Sequence, residues 1–521
     1  MQTPSAPTAA PDVRTSDVAS APPAAAQPAP GAPANPRAQG LAELQRLAAA
    51  ARVFVSMPYV QGVTPRVLAD DARARAYATD ELVPRREGTF ALDEIGLPVM
   101  DHGVLYGDAV FEGVLVAHGR LFTWREHLER LHASAEKLAI DVPLDDVHLT
   151  RTLLETVKAT GVGADERGYI RLVVTRGLGD LGIAPAKCVG STVYAICGTL
   201  RLYPEVGYRT GIPISVARDV RRPMADTLDP RVKSCNYLNN IRALVETLDE
   251  GCAETLMLTP SGFVAEATAD NLFLVAREPG WEQDPARVRL ITPSPEYCLN
   301  GITRALVMRA AGEAGYTVEV SDTMLPADFT QPDREAFLTG TGAGVMPVTA
   351  VGGDPVGGGT SGPVTQELRA RFNAYMADPG LGLSLDATDD EIRAYLSGQA
   401  PAGGEPAAPN FIVELFRRID SRNWTALEDS LHEDVVYERP GYEPLVGRER
   451  VLHFYREERV IASGEHLLDH AITNDSSGAC WGRFVGVHKN GTPIDERFAD
   501  TYLLQDGRIR TRRSFFFRPA I

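Results

Sequence analysis

The sequence predicts two folded units of different class: an α/β unit over residues 75–377 and a smaller α+β unit over 410–521. Three observations carry this. In the first stretch, short apolar strands (169–175, 192–196, 255–258, 271–275) alternate with helical segments such as 126–138 and 236–249. In the second, a helix comes first: Phe411, Ile412, Leu415, Phe416 and Ile419 share one face, and strand-like runs with Asn490-Gly491 and Asp506-Gly507 hairpin signals follow. Between them, residues 378–409 are rich in Gly, Pro and Ala around one short helix (389–396), and read as a linker.

The remaining elements follow in order. Residues 1–40 contain 12 Ala and 9 Pro and no Leu, Ile, Phe, Tyr or Trp. Such a segment cannot bury enough apolar surface to offset its ordering entropy, so it is expected to be a disordered extension. Residues 40–56 (GLAELQRLAAAARVFVS) are expected to form one helix, and 41–94 as a whole an N-terminal helix with an irregular lead-in. A Gly-rich loop (352–362) precedes a helix over 363–376 that closes the α/β unit.

Composition excludes several function classes. The chain has 521 residues with 52 basic against 69 acidic side chains, a formal net charge of -17. Neither nucleic acid nor an anionic membrane surface is an expected partner. No apolar run approaches the ~18 residues of a membrane helix. Six cysteines without a CxxC pair read as free thiols of a reducing compartment, hence a cytoplasmic location. No histidine lies between His148 and His432, so a histidine-based zinc or triad site there is excluded, and no metal site is predicted.

Only five of the basic residues are lysines: Lys137, Lys158, Lys187, Lys233 and Lys489. Four have ordinary explanations at helix ends, loops and turns. Lys233 sits in DPRVKSCNYLNNIRA, between a Pro-rich loop and a helix, with Tyr237 four residues on. A desolvated lysine beside a tyrosine hydroxyl suits Schiff-base chemistry, because the amine must lose its proton to attack an aldehyde. Downstream, Glu266 stands among small residues in FVAEATADNLF; Leu299-Asn300-Gly301-Ile302-Thr303-Arg304 opens a helix whose free N–H groups suit a phosphate; and GTGAG (340–344) makes a second turn able to bind an anion.

Taken together, Lys233 with Asn236-Tyr237-Leu238, EATADNLF, GITR and the GTGAG turn before Pro347-Val348 resemble the class IV pyridoxal-phosphate aminotransferases of fold type IV, branched-chain type. LYGDAVFEG (105–113), HLERLH (127–132), Tyr169-Ile170-Arg171, TRG and GDLGI agree in order. The resemblance implies an aminotransferase over 95–377, with a small subdomain over about 95–200 and a large one over about 201–377. It implies pyridoxal 5'-phosphate as cofactor, joined to Lys233, which also moves protons. Glu266 would pair with the pyridine nitrogen and Tyr237 with the phenolic oxygen. Arg130, Ile302, Thr303 and Thr341 would hold the phosphate, and Leu299 would pack on the ring. Tyr106, Phe111, Tyr169 and Arg171 would line the substrate side, with Thr341, Gly342 and Ala343 amides for the carboxylate. Substrates would be a branched-chain or hydrophobic amino acid and a 2-oxo acid such as 2-oxoglutarate. The assembly would be a homodimer or larger. Gly344 departs from the family, where a glutamate often stands.

Residues 410–521 resemble SnoaL-like domains, the cone shared with ketosteroid isomerase, through the opening helix, HEDVVYERPG with LVGRE, and the closing run 497–517. Candidate pocket residues are Asp434, Tyr437, His453, Tyr455, His470, Glu496 and Asp500; an Asp/His pair there could serve acid–base chemistry. Such a fusion suggests a step in specialised metabolism. The alternatives are another fold type IV activity (4-amino-4-deoxychorismate lyase, D-amino-acid or R-amine transaminase) and a non-catalytic scaffold or dimerisation protein.

Overall fold

The computed structural model describes residues 36–77, 82–163, 166–199, 203, 205–398, 411–473 and 476–516. Most of the expected extension and residues 399–409 of the linker lie outside them. Contacts divide the chain into two units, Met1–Ala49 and Ala50–Ile521.

In the first unit the helix Pro36–Ala50 is the described element. The helix expected over 40–56 therefore stops early, and Arg52–Pro58 forms a strand instead. The reason is local: LAAAA favours helix, whereas Val53, Phe54 and Val55 are β-branched or aromatic, and all three are buried.

In the second unit, an eight-stranded sheet runs in the order Gly382–Ser384, Arg120–Phe122, Ala109–Ala117, Gly168–Thr175, Thr192–Gly198, Arg52–Pro58, Arg85–Ala91, Arg75–Tyr77. Two sequence expectations are corrected here. The stretch 41–94 is not an irregular lead-in, because it supplies three strands of this sheet. The stretch 378–409 is not only linker. Gly382–Ser384 pairs with Arg120–Phe122, and the helix Asp389–Leu396 buries Ile392 in the core beneath the sheet. A reciprocal cap between Thr388 and Glu391 starts that helix. Leu383, Leu385 and Ile392 make the returning segment part of the core. The core also buries Trp124, whose indole N–H donates to Thr150 Oγ1 at 2.8 Å.

A second, nine-stranded sheet runs Val264–Ala267, Thr255–Leu258, Ile212–Arg221, Gly344–Val351, Arg334–Gly340, Asn271–Arg277, Val288–Pro293, Thr317–Ser321, with Asp354–Pro355 beside Gly344–Val351. The helices Ile302–Glu313 and Pro363–Ala377 pack on it through Val307, Ala310, Leu368 and Phe372. The segment carrying Lys233 is tied to the first sheet. Lys233 O accepts from Phe111 N at 2.9 Å, and Cys235 N donates to Ala109 O at 2.8 Å.

Residues 411–516 make the α+β unit. The helix Phe411–Asp420 buries Ile412, Leu415, Phe416 and Ile419 against a six-stranded sheet in the order Leu445–Val446, Leu431–Glu438, Arg508–Phe516, Pro493–Gln505, Ser477–His488, Ile461–Thr473. The strand pairs on either side of Asn490-Gly491 and Asp506-Gly507 are antiparallel neighbours, as the hairpin signals require. No helix among the described residues is long and apolar enough to cross a membrane.

Candidate active site

A cavity of about 210 Å³ opens between the two larger sheets. The first sheet contributes Phe111, Tyr169 and Arg171; the helix Trp124–Lys137 contributes Arg130; and the tied segment contributes Lys233 and Tyr237. The second sheet contributes Glu266 and Asn271, and the far wall is Leu299, the N-terminus of the helix Ile302–Glu313 and the turn at Thr341-Gly342.

Lys233 differs from the other lysines. Lys137, Lys158 and Lys187 pair with Asp229, Asp386 and Asp180 at 2.6, 2.7 and 2.7 Å. Lys233 Nζ lies 4.6 Å from the centre of the Phe111 ring, with no carboxylate within 4 Å among the described residues. Burial, reinforced by the Arg130 and Arg171 charges, lowers its pKa to about 8. Tyr237 shares the cavity because both residues pack on Phe111, the two rings 5.5 Å apart. Their helical spacing is not the cause, since the helix starts only at Leu238. Burial raises the Tyr237 pKa, so the phenol stays protonated.

Glu266 is buried, yet both oxygens are engaged. Oε1 pairs with Arg222 Nη2 at 2.7 Å; Oε2 accepts from Leu299 N at 3.0 Å and Asn271 Nδ2 at 3.1 Å. Asn271 Nδ2 also donates to Leu299 O at 2.8 Å, which fixes the wall between the carboxylate and the helix N-terminus. Gly301 caps that helix in an extended conformation, and a Cβ there would lie 2.0 Å from Asn271 Oδ1. Only glycine lets the chain pass so close before exposing the first helical N–H groups.

Arg130 is held rather than free. Its Nε and Nη2 donate to both oxygens of Glu112, each at 2.8 Å, and Nη1 donates to Asn300 O at 3.0 Å. Glu112 also meets His127 Nδ1 at 2.7 Å. Burial alone would raise the Glu112 pKa, but the Arg130 charge and hydrogen bonds hold it down to about 2. Glu112, His127, Arg222 and Asn271 were not singled out as site residues in the sequence. The first two had a legible signal, a carboxylate inside AVFEGV and an i, i+3 His/Arg pair on one helix face; Arg222 had none.

The structure brings together Arg130, Lys233, Tyr237, Glu266, Leu299, Ile302, Thr303, Thr341, Gly342, Phe111, Tyr169 and Arg171, all of which line the cavity. It leaves two expected residues outside. Tyr106 is 40% exposed and its hydroxyl donates to the carbonyl of Leu181, away from the cavity. Ala343 is buried in the turn rather than on the wall. Gly344 ends that turn at φ 63°, a left-handed backbone that disfavours the glutamate common in the family.

The cone encloses its own cavity of about 390 Å³, walled by Tyr437, Tyr455, Glu496 and Asp500 among the expected residues. Asp434 and His453 are corrected: both are solvent-exposed and away from the cavity. The side chain of His470 lies outside the described residues. His466, Arg459 and Arg512 line the cavity and were not anticipated.

The donor set fits a phosphorylated pyridine aldehyde: an unpaired amine, an oriented carboxylate across from it, and a helix N-terminus beside a guanidinium. That combination defines a class of protein, the fold type IV pyridoxal-phosphate aminotransferases. Residues 109–351 match the family described as Amino-transferase class IV, and the chain belongs to it; residues 412–512 match the SnoaL-like domain. The chain is 38% identical over 274 residues to the "Putative branched-chain-amino-acid aminotransferase" of Methanocaldococcus jannaschii, covering 53% of this chain and 89% of that protein. It is 30% identical over 284 residues to the D-alanine aminotransferase of Bacillus licheniformis, covering 53% of this chain and 90% of that one. The crystal structure of the T.th. branched-chain amino acid aminotransferase with pyridoxamine 5'-phosphate superposes with a TM-score of 0.51 at 28% identity, covering 57% of this chain and 96% of that one.

Proposed function

We propose that this chain moves an amino group between a hydrophobic or branched-chain amino acid and a 2-oxo acid such as 2-oxoglutarate, using the cavity around Lys233. The observation that carries the reading is a lysine without a carboxylate partner whose pKa is lowered to about 8 inside that cavity. Bound there, pyridoxal phosphate supplies the electron sink for breaking the substrate Cα–H bond. Lys233 Nζ would hold the cofactor through its aldehyde carbon and, once released by the incoming substrate amine, would carry the substrate Cα proton. Glu266, steadied by Arg222, Asn271 and Leu299, accepts a hydrogen bond from the protonated ring nitrogen. Tyr237 donates to the phenolic oxygen, and Leu299 packs against the ring. Arg130, the Ile302 and Thr303 amides, the Thr303 hydroxyl and Thr341 take the phosphate. Amides of Thr341 and Gly342 take the substrate carboxylate, with Phe111 and Tyr169 around the side chain.

Arg171 distinguishes acceptors. Its guanidinium lies 3.2 Å from the centre of the Phe111 ring, on the cavity wall, where it suits the second carboxylate of 2-oxoglutarate. Arg171→Met should lower kcat/KM for 2-oxoglutarate by about 10–100-fold, the loss of one charge-assisted contact, while 4-methyl-2-oxopentanoate changes far less. Equal losses for both acceptors would remove Arg171 from this role.

A second expected result is kinetic. Capture of pyridoxal phosphate by the cofactor-free chain should accelerate as pH rises through about 8, because only the neutral Lys233 amine is nucleophilic. A rate that stays flat from about pH 6.5 to about pH 9.5, a range that brackets this titration, would contradict the assignment.

We read the assembly as a homodimer or larger, in a reducing cytoplasm. Leu181 and Ile183 are at least 71% exposed in the loop whose Leu181 carbonyl accepts from Tyr106 Oη, an apolar surface suited to a subunit contact, and all six cysteines are free thiols. A second reading, D-amino-acid transamination, is favoured by the Bacillus licheniformis D-alanine aminotransferase likeness. Supplying L-leucine and D-alanine separately with 2-oxoglutarate decides between them.

A further inference from the structure

The wall of the Lys233 cavity carries an acidic group that amino transfer as described leaves without a task, Asp270. It stands between the strands Val264–Ala267 and Asn271–Arg277, where Ala267 N donates to Asp270 O at 2.9 Å and closes the turn. The residue is 4% exposed. Its Oδ1 lies 1.9 Å from where a Cβ at Gly340 would stand, so the carboxyl packs directly on the entry to the Thr341-Gly342 turn. A side chain at position 340 would displace it.

The two carboxyl oxygens differ. Oδ2 accepts from Tyr203 Oη at 2.9 Å. Oδ1 has no hydrogen-bond partner among the described residues, and no cation lies within 4 Å of either oxygen among them.

The surroundings are short of positive charge. Glu266 is already matched by Arg222 at 2.7 Å. Glu254, also buried, has Oε2 held by Thr268 N at 2.9 Å and Thr268 Oγ1 at 2.5 Å, with no cation paired to it among the described residues. The titratable groups facing Asp270 are Lys233, Glu254, Glu266, Tyr169, Tyr203 and Tyr208. Burial raises the pKa of Asp270 against the opposing pull of Tyr203 and Lys233; burial, and then the Asp270 charge, raise that of Glu254. A buried carboxylate without a cation is costly, and a proton is the counter-charge at hand.

We infer that Asp270 is a further substrate-binding group, a neutral acid whose Oδ1 donates a hydrogen bond to the 2-oxo acid carboxylate held by the Thr341 and Gly342 amides. This rests on the amino-transfer proposal, which sets the substrate carboxylate at that turn. Ionised, Asp270 would repel the substrate. The proton comes from solvent on binding and returns to it on release. Binding therefore weakens as pH rises through the titration of Asp270, by at most about tenfold per pH unit for one proton. A cationic guest is disfavoured because Arg130 and Arg171 share the cavity.

The probe is 4-methylvalerate, a carboxylate with no carbonyl to react, titrated into the cofactor-loaded full chain. Calorimetry in two buffers of different ionisation enthalpy counts the protons taken up. At about pH 7.5 the parent should take up about one half to one proton more than Asp270→Asn, which keeps a donor but does not titrate. The titration of Lys233 is common to both chains and cancels in the difference. Tyr203→Phe removes a hydrogen bond that favours the ionised form, so the fall in affinity should move to higher pH; a move to lower pH counts against the inference. Equal proton uptake by the parent and Asp270→Asn overturns it. So does tighter binding of 5-aminopentanoate, whose ammonium would suit an ionised Asp270. If Asp270→Asn melts early, the direction of the Tyr203→Phe shift decides. Turnover of L-leucine with 2-oxoglutarate by the parent separates the two proposals. Turnover with no difference in proton uptake sinks the Asp270 contact alone, and the expected difference without turnover sinks amino transfer alone.

Discussion

Lys233→Ala should lower kcat for amino transfer by about 10³-fold or more and remove the visible absorbance of the cofactor-loaded chain. Both effects have one origin. Lys233 is the only amine among the lining residues of the cavity, and the three other lysines with a mapped ion pair are committed to aspartates. Arginine at this position cannot rescue, because guanidinium stays protonated and makes no Schiff base. Added methylamine should restore part of the proton transfer without restoring the covalent tie. A variant that keeps both colour and turnover would place the chemistry elsewhere.

The second large effect concerns Glu112. Glu112→Ala leaves the Arg130 guanidinium and the His127 imidazole facing a buried void where a carboxylate met both. Breaking such a pair from one side costs about 3–5 kcal/mol, and Arg130 loses the two contacts that orient it toward Asn300 and the cavity. Weaker retention of pyridoxal phosphate and a lower melting midpoint should therefore appear together. An unchanged midpoint, within about 2 °C, would show that Glu112 carries no such load.

The pH dependence has a defined sign. The folded pKa of Glu112 is about 2, below its ordinary 4.5, so its stabilising contribution is fully present above 4.5 and is lost as pH falls toward 2. That contribution is about 3 kcal/mol, because each pH unit between the unfolded and folded pKa values is worth about 1.36 kcal/mol. Over pH 4.5 to 2 the parent should lose that increment while Glu112→Ala does not. Parallel curves would assign acid lability to other carboxylates.

Much of this site was legible in the chain because its chemistry needs particular residue types. An amine that can deprotonate must be a lysine, and only five were available. A helix N-terminus that carries an anion needs a glycine entry, and Gly301 is followed at once by helix. Elements with strong local signals also read correctly: the one-sided apolar helix Phe411–Asp420 and the two hairpin turns. What failed were segments whose neighbours decide their state. Residues 52–58 continue an alanine-rich helix in sequence, yet the sheet captures them between Thr192–Gly198 and Arg85–Ala91. Gly382–Ser384 reads as linker because three residues carry no periodic signal, and it becomes a strand only through pairing with Arg120–Phe122.

The sequence by itself determined the class of chemistry: the lysine, the carboxylate of EATADNLF, the anion-binding turns and their order. Those rest on side-chain identity and short spacing, which a linear chain displays. The tertiary structure alone decided which groups share a cavity and which do not. It set Glu112 behind Arg130, turned Tyr106 and His453 away, and brought Arg459 and Asp500, 41 positions apart, onto one wall. These are consequences of long-range strand pairing and burial, where neighbours distant in sequence fix both the position of a charge and the cost of leaving it unpaired.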